Sequence, residues 1–193
     1  MTEYINVNGN QTSFILPDGF QRIDSSSRTR NKETVQVIRY QPEQGLKVNG
    51  PHVTVVIGQD GRLISYNNFS QTTGGKMPSD AEARRIAEAT FEETDPEYAS
   101  GLSYMRIDHL KRQFINDQGE YVEIPISWVK FAHTNGSYNW VSVGPDNQIF
   151  EMERESYWNY WLSRRATEEW NYDNWVLARE GKGPQPAAPE ALA

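Results

Sequence analysis

Apolar and polar residues alternate along most of this chain with the period of two that half-buried strands require. Residues 34–40 alternate and are rich in β-branched side chains, 53–57 form a short continuous apolar run, and 62–66 follow after Gln59-Asp60-Gly61. The pattern returns at 104–115, 121–132, 138–143 and 148–153. The separators 116–119, 134–136 and Pro145-Asp146-Asn147 carry Asn, Asp, Gly or Pro, which accept left-handed backbone or start turns. These last four runs therefore predict an antiparallel meander. Nearer the start, 4–7 and 12–16 flank Asn8-Gly9, the preferred pair for a tight hairpin, and Pro17-Asp18-Gly19 marks a second turn. The Ser/Arg-rich stretch 25–31 and the Thr/Gly-rich stretch 71–76 read as loops.

Helical spacing appears in two places. Ser79 is a good N-cap, Glu82 completes a capping box, and Asp95-Pro96 closes the segment. Between them Ala83, Ile86, Ala87, Thr90 and Phe91 make one narrow stripe, suited to close packing on a sheet. Residues 157–180 lose the alternation and hold four of the six tryptophans. They read as one or two helices broken near 171–174. On that reading Trp158, Trp161 and Leu162 form a face that covers the open side of the sheet. Trp170, Tyr172 and Trp175, separated by polar residues, are then the candidate partner-binding surface. Residues 181–193, with three prolines, read as a disordered tail.

The strongest signal is a self-match. Residues 55–64 align without gaps on 141–150, with Asn147 standing where Gly61 stands; both residue types accept positive φ. Upstream, Val37-Ile38-Arg39-Tyr40 resembles Trp128-Val129-Lys130-Phe131, with a shorter loop following in the second copy. The organisation predicted is a hairpin segment over 1–33, a degenerate first repeat over 34–76, a fuller repeat over 77–153, an aromatic helical arm over 154–180 and the tail.

The helix Pro78-Ser79-Asp80-Ala81-Glu82-Ala83-Arg84-Arg85-Ile86-Ala87, a following strand with Trp128, and the turn Gly144-Pro145-Asp146-Asn147-Gln148-Ile149 together resemble the PepSY-like domain family. That family takes its name from peptidase propeptides and small exported bacterial proteins. The likeness is best over 77–153 and covers about half the chain; before residue 34 there is no matching helix. It implies an α+β fold, a curved antiparallel sheet packed against a helix. It also implies a non-enzymatic binding or regulatory module, acting on a peptidase or binding a protein or peptide. It carries no catalytic residue.

Composition narrows the chemistry. Cysteine is absent, which removes disulfides, thiolate metal sites and cysteine nucleophiles. The net charge is -7, and neither Lys111-Arg112 nor Arg28/Arg30/Lys32 makes a basic stripe, so nucleic acid is not an expected partner. No run approaches a membrane span, and the N-terminal residues lack the charged and apolar regions of a signal peptide; a cytoplasmic location is the expectation. His52, His109 and His133 lie far apart without carboxylates at ligand spacing, and no metal or cofactor is expected. Gly74-Gly75-Lys76 lacks the spacing of a phosphate loop, and no nucleophile elbow occurs. Glu151 and Glu153 share a strand face that reads as solvated. The competing function is a small-ligand α+β domain whose curved sheet forms an aromatic-lined pocket under the helix, and its mark would be a deep enclosed pocket lined by Trp128 or Trp140.

Overall fold

The computed structural model describes residues 3–7, 10–42, 45–72 and 74–193. Strands β1 (Glu3–Val7) and β2 (Asn10–Leu16) pair antiparallel; the predicted Asn8-Gly9 turn lies outside the described residues. A first meander comprises β3 (Gln21–Arg30), β4 (Glu33–Gln41), β5 (His52–Ile57) and β6 (Leu63–Phe69). Helices α1 (Asp80–Thr94) and α2 (Pro96–Ala99) lead to a second, made of β7 (Leu102–Ile115), β8 (Tyr121–His133), β9 (Tyr138–Val143) and β10 (Ile149–Ser156). Pairing of β6 with β10 joins them into one eight-stranded antiparallel sheet, ordered β3-β4-β5-β6-β10-β9-β8-β7. The protein is mainly β, as the alternation predicts.

The stretch 25–31, read as a loop, is instead the body of β3. Its polarity reflects an edge strand with solvent on one face, and its turn is Asn31-Lys32, both at positive φ, as a two-residue hairpin demands.

The self-match is built into the register. Val37 faces Val56 and Arg39 faces Thr54; at the matching positions Trp128 faces Ser142 and Lys130 faces Trp140. The outer pairs agree too, Asp24 with Arg39 and Arg106 with Lys130. Even the irregularities coincide: a bulge lies between Arg22 and Asp24 and between Tyr104 and Arg106. The turns close alike, with Gly58 N–H donating to Arg62 C=O at 2.9 Å and Gly144 N–H to Gln148 C=O at 2.8 Å. Gly61 and Asn147 both take positive φ. Tyr66 and Met152 occupy equivalent places and face each other across the β6–β10 pair. A pseudo-twofold axis passes between them.

The two faces of the sheet are covered differently. On one, α1 lies over the second meander through Ala83, Ala87 and Phe91, which meet Val129, Phe131, Val141 and Val143. Ser79 caps α1, its hydroxyl accepting from Glu82 N–H at 3.3 Å. Where the first copy lacks a helix, the β1–β2 hairpin takes that place. Ile5, Phe14 and Leu16 pack on Val53, Val55 and Tyr66, and the Tyr66 hydroxyl donates to Ile15 C=O at 2.7 Å.

The chain after β10 covers the opposite face, and here the sequence reading is corrected. Residues 157–180 are helical only in α3 (Asp173–Arg179). Before it, β11 (Trp158–Asn159) and β12 (Arg164–Arg165) form a small hairpin. Asn159 Oδ1 accepts from the Trp161 and Leu162 N–H groups, a local side-chain bond that competes with helix. Trp161 is 98% exposed and Leu162 is exposed, so they cover nothing. Residues 181–193 are packed rather than disordered: Arg165 N–H donates to Pro189 C=O at 2.8 Å, and Ala191 is buried.

Phe91 is 2% exposed and meets Phe131 edge to face at 5.6 Å. Phe91→Ala is expected to lower unfolding free energy by about 3–5 kcal/mol, read by urea denaturation. A loss near zero would mean that α1 does not hold the sheet.

Candidate ligand-binding cleft

The face beneath the C-terminal segment holds charges that strand alternation placed but could not show to be buried. Glu151 and Glu153 are 0% and 4% exposed, which corrects the expectation of a solvated pair. Burying a carboxylate is costly unless it is paired and fully hydrogen-bonded. Arg112 Nε donates to Glu151 Oε1 at 2.8 Å, Tyr172 OH donates to the same oxygen at 2.9 Å, and Ser142 bonds Oε2. Arg30 Nη2 donates to Glu153 Oε1 at 2.6 Å, and Asn171 Nδ2 to Oε2 at 2.9 Å. Arg30 and Arg112 stand at matching positions of the two copies. Burial pushes both carboxyls up. At Glu151, Arg112 and the hydroxyls outweigh burial and hold the pKa below the usual value, whereas at Glu153 burial wins.

The predicted partner-binding residues belong to this cover. Trp175 is 1% exposed. Trp170 packs on Val35, Val37, Val56 and Ile64 and donates from its indole to Thr29 C=O at 2.8 Å. Tyr172 is spent on Glu151. Trp170, Tyr172 and Trp175 therefore present no open aromatic surface; the two groups of aromatics exchange the places the sequence suggested. Asp173, at the start of α3, forms a two-point ion pair with Arg39 at 2.7 and 2.8 Å.

Beyond Arg112 the same face opens into a cleft of about 400 Å³. Its floor comes from β7, β8 and β9: Arg106, Leu110, Trp128, Lys130, Tyr138 and Trp140. Tyr157, Trp158 and Arg165 form the far wall, with Pro189 and Glu190 of the tail. The Trp128 and Trp140 rings lie 5.4 Å apart, tilted by 48°. Their indole N–H groups are buried and have no hydrogen-bond partner among the described residues. Lys130 Nζ sits 5.5 Å from the Trp128 ring and 4.2 Å from that of Tyr138. Asp108, the nearest acid on this floor, pairs with Arg106 at 2.8 Å, and among the described residues no carboxylate forms an ion pair with Lys130. Burial lowers the Lys130 pKa, and the charges of Arg106 and Arg165 lower it further. The cleft thus offers aromatic side chains and a half-buried cation in no ion pair among the described residues, while the two indole N–H groups lie buried beneath its surface. An anion carried on a flat or apolar body suits the cation and the rings together.

The histidines stand elsewhere. His52, expected in a solvated loop, is 3% exposed. Its Nδ1 lies 2.7 Å from Gly50 C=O, and burial, with Arg39 nearby, lowers its pKa to about 4. His133 stacks on Tyr98 with ring centres 4.0 Å apart, and its Nε2 donates to Tyr98 C=O. His109, on β7, is exposed, and its Nε2 lies 3.2 Å from Asp80 at the start of α1. Among the described residues no cluster of three potential ligands could hold a metal ion. Among the described residues no helix is long and apolar enough to cross a membrane.

The cleft wall depends on a titratable contact. Arg165 binds both Glu169 and Glu190, the latter at 2.8 Å. Burial raises the Glu169 pKa to about 8, the Arg165 charge opposing and Glu190 adding to the rise. Stability from protonated Glu169 is fully present below 4.5, its ordinary value, and is lost as pH rises through about 8. Tail docking is expected to loosen between about pH 4.5 and 8, read as faster amide exchange at 190–191 after correction for intrinsic rates. Glu190→Gln should flatten that dependence, and an unchanged profile counts against the shared proton. Compared with family models, curated proteins and solved structures, the chain matches none.

Proposed function

We propose that the protein is a binding module rather than an enzyme, and that its ligand enters the Trp128–Trp140 cleft through an anionic group that pairs with Lys130. The observation that carries this reading is a half-buried ammonium that forms no ion pair among the described residues and lies between the Trp128 and Tyr138 rings at the cleft floor. A half-buried cation with no ion-pair partner attracts an acidic group, so an acidic ligand gains from neutralising it. Binding is favoured over catalysis because the buried carboxylates Glu151, Glu153 and Asp173 are each held by an arginine, and Glu169, whose carboxyl titrates at about 8, does not line the cleft. A general acid or base would need one of them free to exchange a proton with substrate. The resemblance to PepSY-like modules supports the same class, a partner held or regulated rather than transformed.

Titration calorimetry with 2-naphthoate and its neutral analogue 2-naphthalenemethanol tests the reading. The carboxylate is expected to bind at least tenfold more tightly, and Lys130→Gln to abolish the difference. Trp140→Leu, which removes an aromatic wall but no charge, should weaken both ligands alike. Absence of binding by either compound, or naphthoate binding indifferent to Lys130→Gln, defeats the proposal.

A further inference from the structure

The pseudo-twofold axis gives the open cleft a counterpart, and that counterpart is occupied. Asp24, Ser26, Arg28, Val37, Arg39 and Thr54 line a trough in the first copy. By strand register these positions match Arg106, Asp108, Leu110, Trp128, Lys130 and Trp140, which line the cleft of the second. In the first copy α3 and the residue leading into it lie along the trough. Trp170, Val176 and Leu177 line it, and Asp173 engages Arg39 through both guanidinium nitrogens. About 180 Å³ remains there, against about 400 Å³ in the second copy. Among the described residues the cation at the matching place, Lys130, forms no such ion pair.

We infer that the open trough of the second copy receives a short helical segment of a partner protein, carrying an acidic side chain for Lys130 and small apolar side chains for the Trp128–Trp140 wall. The inference rests on the reading of this cleft as a binding site and names the class of its occupant. Two features of the first copy specify that occupant. The first is charge: Asp173 on Arg39 shows which sign the matching Lys130 accepts and how a helical residue delivers it. The second is volume. The first trough has small floor residues, Val37 and Thr54, and receives the large Trp170. The second has Trp128 and Trp140 on its floor, so its occupant brings smaller groups. The second trough is lined by β7, β8 and β9 as the first, where α3 lies, is lined by β3, β4 and β5, which suits a helical segment lying in it.

The probe is an acetylated peptide copying residues 168–180 with Trp170→Ala, titrated into the full chain by calorimetry and mapped by amide exchange. Binding is expected with protection at 104–132. Asp173→Asn in the peptide and Lys130→Gln in the protein should each weaken it about tenfold, and the two together no more than either alone. Protection at 21–41 instead would mean that the peptide competes with α3 in the first trough, and would overturn the inference. So would equal affinity of the Asp173→Asn peptide. Binding of 2-naphthoate without binding of the peptide removes the helical occupant and leaves the cleft as a small-anion site. Binding of neither removes both.

Discussion

The pairing of β6 with β10 is the constraint on which the rest depends, because it places two carboxylates at the centre of the sheet. Glu151 and Glu153 face Asn67 and Ser65 across that pair, and Arg112 and Arg30 arrive from matching strands at opposite flanks to neutralise them. Each buried pair, if broken by loss of one partner, would cost about 3–5 kcal/mol, because the survivor is left charged and dry. The remaining lone pairs must also be filled. Asn171 and Tyr172 do this from the C-terminal segment, Asn171 reaching Ser65 at 2.9 Å as well as Glu153. The polar centre thus dictates that this face be covered, and by which residues. An apolar centre would have packed against any greasy cover of the right shape.

Divergence between two copies of one unit is what leaves a vacancy for a ligand. On the first face the copies recruit different covers for the same task, a hairpin over one meander and α1 over the other. On the second face α3 serves only the first copy. The matching surface of the second keeps its trough, its cation and its aromatic floor. Arg39 and Lys130 show the difference in a single position: equivalent in register, one ion-paired with Asp173 and the other in no ion pair among the described residues.

The repeat was legible because it is written in turn residues. Asp60-Gly61 and Asp146-Asn147 specify backbone geometry directly, and α1 announces itself through Ser79, its small-residue stripe and Asp95-Pro96. What failed to read was set by distant partners. β3 looked like a loop because an edge strand needs no apolar alternation on its solvent side, and Asn31-Lys32 is a less familiar turn than Asn-Gly. Trp158, Trp161 and Leu162 fall at helical spacing, yet Asn159 folds the backbone into a hairpin tip and leaves Trp161 in solvent. Glu151 and Glu153 were correctly placed on one face, but strand alternation carries no information about what lies over that face. Trp128 and Trp140 were expected to mark a pocket under the helix, whereas the cleft they line lies on the opposite face, walled by the C-terminal segment. Lys130 could have been found only by noticing that its repeat partner is Arg39 and asking what each would pair with.

The order of strands in the sheet also governs the path by which the molecule closes. Hairpins such as β3–β4 and β8–β9 meet across a few residues, whereas β6 waits for β10 until the entire second meander has been made. That seam closes the longest loop of the sheet and carries its largest chain-entropy penalty. Either half can therefore organise on local contacts, while the central edge of each stays unsatisfied until the other arrives. A strand edge left bare in this way is a template for pairing with another molecule. Residues 157–193 cannot seal the second face until this seam is shut, since their anchors lie on both sides of it.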